Sequence, residues 1–116
     1  MKLLIASLLF LGAVSVNAQT SKELIGKWKL VKETKDGVDK EIKDDTYQVF
    51  FDDGKFEGIV GSKTSNGKWK LSDDNKVLTV KISIIKVKFT IEYFDAKRRV
   101  INNDMTGRLE YEKAAD

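Results

Sequence analysis

The sequence predicts an all-β protein, a small antiparallel up-and-down β-barrel of about eight short strands with a short N-terminal helical turn. Three observations predict it. Apolar and polar residues alternate with period two over most of the chain after Gly26, turn residues separate the alternating runs at short intervals, and no segment past Gly26 has helical periodicity. Consecutive short hairpins give an up-and-down order, and closing the sheet removes edges that would otherwise remain exposed.

The N-terminus comes first. Met1-Lys2 precedes an apolar run from Leu3 to Val16, and Val16-Asn17-Ala18 follows, the charged, apolar and small-residue order of a secretory signal. Cleavage after Ala18 is expected, leaving residues 19–116 as one barrel domain. The run is shorter than the ~20 apolar residues of a membrane helix and no later run is longer, so no transmembrane segment is expected after cleavage. Without a cysteine at the cleavage point to carry a lipid, a free exported protein, periplasmic or secreted, is expected.

Thr20-Ser21-Lys22-Glu23 fits a capping box for a short turn through Leu24 and Ile25. From Gly26 the alternation Lys27 out, Trp28 in, Lys29 out, Leu30 in marks a strand over about 26–34, turning at Lys35-Asp36-Gly37. Val38 to Asp45 is charged and reads as a loop or weak edge strand. Tyr47, Val49 and Phe51 alternate on the expected inner face, Asp52-Asp53-Gly54-Lys55 is a hairpin turn, and Phe56 to Val60 returns. Ser62 to Asn66 reads as a polar loop.

Gly67-Lys68-Trp69-Lys70-Leu71 then echoes Gly26-Lys27-Trp28-Lys29-Leu30, with one indole and one leucine on the inner face of each copy. After a turn at 72–76, Leu78, Val80, Ile82 and Ile84 share a face. The phase slips at Ile84-Ile85, so that Ile85, Val87, Phe89, Ile91 and Tyr93 face one way, which requires a bulge or sharp bend near 84–86. Strands around 98–102 and 106–113 follow, with Leu109 and Tyr111 inward.

Composition narrows the chemistry. The chain has no histidine, cysteine or proline. An ordinary serine or cysteine triad, an imidazole base, a thiolate nucleophile and a histidine- or cysteine-bearing zinc site are therefore excluded. Stability must come from burial and sheet pairing without disulfides. The net charge of +3 is a near-balance of many lysines and many acids, unlike the strong basic bias of a nucleic-acid binder.

The segment Leu24-Ile25-Gly26-Lys27-Trp28-Lys29-Leu30, a G-x-W opening after a short helical turn, together with Arg108 on the expected last strand, resembles the lipocalin superfamily, and more closely the short lipocalin-like domains of exported bacterial proteins. The resemblance implies that Gly26 opens the first strand, that Trp28 plugs the closed barrel end, and that Arg108 packs over its indole as a cation–π partner.

The inner face supplies the candidate ligand site: Tyr47, Val49, Phe51, Trp69, Val80, Ile82, Phe89 and Ile91 would line a pocket for a small hydrophobic ligand. The competing expectation is a filled core, because an eight-stranded barrel is only just wide enough for its own side chains. Lys68, Lys70, Lys81, Lys86 and Lys88 fall on outward positions of neighbouring strands, as a basic band for an anionic lipid, glycan or acidic protein or as a solvated face. The acidic clusters at 44–45, 52–53, 73–74 and 102–104 lack calcium-loop spacing and suit turns. Nothing in the sequence pairs Glu57, Glu92 or Glu110 as acid and base. The expectation is a non-enzymatic exported binding protein with no metal or cofactor, engaging a small hydrophobic molecule or an envelope component. The alternative is a protein-interaction module, such as a secreted-protease inhibitor, with a filled barrel.

Overall fold

The computed structural model describes residues 21–115. The expected signal peptide, residues 1–18, and Thr20 of the capping box lie outside the described residues. A single helical turn, α1 (Ser21–Leu24), precedes nine strands: β1 (Gly26–Lys35), β2 (Val38–Lys40), β3 (Thr46–Phe50), β4 (Lys55–Val60), β5 (Lys63–Leu71), β6 (Val77–Ile82), β7 (Ile85–Phe94), β8 (Arg98–Asn103) and β9 (Gly107–Lys113).

Every strand pairs antiparallel with its neighbours, and β9 pairs back onto β1, so that β1 and β3–β9 close an eight-stranded barrel while β2 hangs on the outer half of β1. The β1–β2 hairpin turns through Asp36 (φ 52°) and Gly37 (φ 76°). Two consecutive positive φ values match the right-handed strand twist across a two-residue turn, and Asp-Gly is the dipeptide that tolerates them.

Two local expectations are corrected. The 62–66 stretch is not a loop: only Gly61 and Ser62 turn, and Lys63–Asn66 pairs with Glu57–Val60 in regular register. The phase change at Ile84-Ile85 is a hairpin rather than a bulge, with Ile82 opposite Ile85 across a two-residue Ser83-Ile84 turn and Ser83 at φ 58°. The irregularity of β7 instead falls between Ile91 and Tyr93.

The core is one cluster inside the barrel, including Leu24, Trp28, Phe50, Phe56, Leu78, Phe89, Phe94 and Ile101. Register explains it, because residues directly opposite share a face. Trp69 opposes Val80, Leu71 opposes Leu78, Leu78 opposes Phe89 and Ile91 opposes Ile101, so apolar residues meet apolar residues around the interior. The two echoing segments play equivalent roles. Each indole donates its N–H to a backbone carbonyl at 2.9 Å, Trp28 to Leu24 and Trp69 to Phe51.

The tightest approach is at Gly67, where an added Cβ would lie 2.1 Å from the Lys81 carbonyl oxygen. Gly67→Ala must push β5 from β6 and is expected to cost about 1–3 kcal/mol, lowering Tm by several degrees. Gly58→Ala, whose Cβ would sit 3.4 Å from the Phe56 ring, should shift Tm far less. Thermal unfolding followed by circular dichroism checks both. Equal Tm values for the two variants would contradict the crossing geometry.

Candidate functional site

The turns divide the barrel into two ends. The end nearest α1 carries the 51–54, 72–76 and 95–97 turns, and it is plugged. Trp28 is fully buried there, its ring 5.9 Å from Phe94. The guanidinium of Arg99, also fully buried, lies 5.0 Å from the ring centroids of Trp28 and Phe50 and 4.4 Å from that of Tyr111. Arg99 Nη2 donates to Gln48 Oε1 at 2.6 Å, whereas Nε and Nη1 are enclosed without a hydrogen-bond partner. Lys113 Nζ adds a second cation 4.6 Å from the Trp28 ring and donates to the Ile25 carbonyl at 2.7 Å.

The cation over Trp28 is therefore Arg99, not Arg108. Register is the reason. Arg99 opposes Tyr111 and shares the inner face with Ile101, while Arg108 opposes Asn102 on the outer face. There Arg108 Nη1 meets Glu110 at 2.8 Å and its Nε meets Glu92 at 3.1 Å, and Arg98 reaches the other Glu110 oxygen at 2.9 Å. The Arg98 hydrogen bond, aided by the charge of Arg108, holds the Glu110 carboxyl below its usual range.

The opposite end is hollow. A cavity of about 360 Å³ is lined by Gln48, Phe56, Gly58, Val80, Ile82, Val87 and Phe89, among others, with Val60 and Ile85 at its mouth. Tyr111 belongs both to the cage around Arg99 and to the cavity lining, so it forms the floor. The volume falls within the range of small-molecule sites, ~300–1,000 Å³, and the walls have the apolar character with few polar groups that such sites show.

Of the residues expected to line a pocket, Tyr47, Val80, Ile82 and Phe89 do. Trp69 and Ile91 point inward but pack against the core below the cavity, Trp69 edge-on to Phe50 at 5.7 Å. Tyr47, Val49 and Phe51 have the opposite phase to that expected. Trp28 opposes Gln48 and Gly26 opposes Phe50, which brings Gln48 and Phe50 inside and puts Tyr47 and Val49 across from Lys29 and Lys27. Tyr47 borders the cavity wall from that outer phase, with Lys27 Nζ 4.3 Å from its ring centroid. Phe51 is exposed in the turn after β3.

Gln48, Gly58, Val87 and Arg99 are site residues that sequence reasoning missed. Gly58 had a signal, since glycine inside a strand marks room for something else to approach. Arg99 had one too, lying two residues from Ile101 on the same strand face. Among the described residues no three His, Cys, Asp or Glu side chains cluster as a metal site requires.

A closed eight-stranded barrel, entered through a helical turn and a G-x-W strand, plugged by an indole under a cation and hollow at the other end, defines a lipocalin-like protein. Residues 12–111 match the model of the family GH43_C, a C-terminal lipocalin-like domain, and the chain belongs to that family. Among solved structures, a lipocalin-like protein from Bacteroides uniformis ATCC 8492 is 17% identical with a TM-score of 0.68, covering 79% of this chain and 99% of its own. An uncharacterized protein from Bacteroides eggerthii DSM 20697 is 16% identical with a TM-score of 0.66, covering 78% and 99%. At these identities the likeness concerns the fold. No curated protein matches the chain.

Burial pushes the Arg99 pKa down to about 10, with Tyr111 acting weakly the other way, and burial pushes the Tyr111 phenol up to about 12. The two have opposite linkage. Arg99 loses its proton earlier in the folded than in the unfolded chain, so its contribution to stability rises above pH 10; Tyr111 keeps its proton longer when folded, so its contribution falls over pH 10–12. Tyr111→Phe removes the second and leaves the burial of Arg99 in place. Its stability relative to wild type should therefore improve by about 2 kcal/mol between pH 9 and 12, read by urea unfolding at each pH. A pH-independent difference would show that the phenol is not held in a dry site.

Proposed function

We propose that this chain is an exported, non-enzymatic binding protein that carries a small hydrophobic ligand in the hollow half of its barrel. The observation that carries the reading is the cavity itself, an apolar chamber of about 360 Å³ over a floor made by Tyr111. Hydrophobic binding needs what this chamber offers: apolar walls contributed by several strands, a mouth open to solvent and a rigid base that cannot collapse when the site is empty. Gln48 is the polar group available to orient a ligand, because its amide nitrogen is left when Arg99 takes the carbonyl oxygen.

Binding rather than catalysis follows from the donor set. The chain contains no histidine or cysteine, and the carboxylates Glu92 and Glu110 are engaged by Arg98 and Arg108 on the outer face. The alternative of an interaction module built on a filled barrel finds no support in the interior, where packing stops at Tyr111 and Phe89. Export rests on the signal-like residues 1–18.

Val87 lies on the cavity wall and is half-buried, so Val87→Trp should fill the chamber at modest cost in stability. The test is titration with a fluorescent fatty acid such as a dansyl undecanoate. Wild type should bind it in the micromolar range, a few kilocalories tighter than millimolar, and Val87→Trp should lose at least about tenfold while keeping a Tm near that of wild type. Equal binding by the two proteins would place the probe outside the barrel and defeat the reading.

A further inference from the structure

We infer that the rim formed by the β4–β5 and β6–β7 hairpins docks on an anionic lipid surface, so that the barrel mouth opens onto the bilayer. This builds on the ligand-binding reading of the hollow half and specifies its ligand as the acyl portion of a membrane lipid. Three observations converge on one side of the molecule.

The first is apolar exposure at a turn. Ile84 is 89% exposed and the adjacent Ile85 62%, and Val60 at the neighbouring hairpin is 50% exposed. Turns usually carry polar residues, and branched aliphatics at a turn tip have no role in the core. The second is continuity with the chamber: Val60, Ile82 and Ile85 also line the cavity mouth, so the exposed apolar surface of the β6–β7 hairpin runs into the interior, with Lys63 and Ser65 opposite Val60 and Gly58 on the β4–β5 side.

The third is charge. Lys68 opposes Lys81, and Lys81 opposes Lys86, in one row across three strands; in the next row Lys70 and Lys88 flank Thr79. Like charges directly opposite one another destabilise a sheet, yet none of these five lysines has an acidic partner within ion-pair distance among the described residues. Of the acids at this end, Asp36 and Asp39 lie in the β1–β2 hairpin and Asp104 in the β8–β9 turn, away from the lysines, while Asp44 borders the Gly61 turn of the β4–β5 hairpin. Lys81 and Lys86 form the pair next to Ile82 and Ile85, which close the Ser83-Ile84 turn.

An apolar tip framed by unpaired lysines is the pattern of interfacial membrane binding, in which aliphatics enter the acyl boundary while ammonium groups meet anionic headgroups. A soluble acidic polymer would use the lysines and have no use for Ile84. With the tip inserted, an acyl chain passes from bilayer to chamber along Ile85, Ile82 and Val60 without crossing water.

The test is co-sedimentation with vesicles of phosphatidylglycerol and phosphatidylcholine in equal parts, against pure phosphatidylcholine, with the fluorescent fatty acid titrated in parallel without vesicles. Binding is expected to the anionic vesicles only and to weaken with salt. Ile84→Asp should reduce it at least about fivefold. Lys81→Glu puts an acid between Lys68 and Lys86, so it should raise Tm while reducing vesicle binding about tenfold or more. Both variants should keep the wild-type affinity for the fatty acid in solution. No binding to anionic vesicles by a chain that binds the fatty acid would overturn the docking inference and leave the chamber reading intact. Vesicle binding without fatty-acid binding would do the reverse for the chamber and remove the lipid-transfer role. Vesicle binding unchanged by Ile84→Asp but abolished by dextran sulfate would assign the lysines to an acidic glycan and overturn it, as would an Ile84-dependent dimer that ignores vesicles.

Discussion

The structure depends on one buried cation. Arg99 places a full positive charge at the plugged end of the barrel, with no carboxylate beside it among the described residues and the Gln48 carbonyl as its hydrogen-bond acceptor. Desolvating such a group costs several kilocalories per mole. The compensation comes from ring faces: three aromatic side chains within 5.0 Å, from β1, β3 and β9, each contributing up to about 2 kcal/mol in a dry site. The guanidinium on β8 thereby ties together strands that are far apart in sequence, and it does so beside the β9–β1 seam that closes the barrel.

That arrangement dictates what the rest of the interior can be. With Trp28, Phe50, Phe94 and Tyr111 gathered around Arg99, most of the large inward rings stand at the plugged end, while Phe56 and Phe89 reach the cavity wall. The other end is left to Gly58, Val80, Ile82 and Val87, whose side chains are too small to meet across it, and the result is a chamber. Small barrels fill themselves with their own side chains unless some positions are small, and Gly58 is the clearest such position. A rigid plug and a hollow half are thus two consequences of one distribution of residue sizes.

Much of this was legible in the sequence, for reasons that differ by residue. The strand order and closure followed from period-two alternation and short turns, and Trp28, Val80, Ile82 and Phe89 were placed correctly because each sits in a run with only one apolar face. Around Gln48-Val49-Phe50-Phe51 both phases are apolar enough to be plausible, and the choice between them rests on the pairing of Trp28 with Gln48, a long-range contact that local pattern does not contain. Arg108 matches the expected indole partner by its place on the last strand alone, whereas burial of Arg99 requires the Gln48 acceptor and the aromatic cage to be known together. The Ser62–Asn66 stretch looked like a loop since it is uniformly polar. Past Ser62 it is a strand, Lys63–Asn66, held by its register with Glu57–Val60 and solvated on both faces at the barrel mouth. The chamber itself depends on volumes summed across six strands and has no linear signature.

The measurement that bears most directly on this account is a methyl NMR titration of the protein with dodecanoate. Because the plugged half is solid and the other half hollow, the account predicts saturable shifts at the methyls of Val60, Val80, Ile82, Ile85 and Val87, with those of Leu24, Leu30 and Val100 unmoved. Shifts spread evenly through both sets, or confined to surface methyls such as Val31 and Val38, would contradict a barrel divided by its buried arginine into a plug and a ligand chamber.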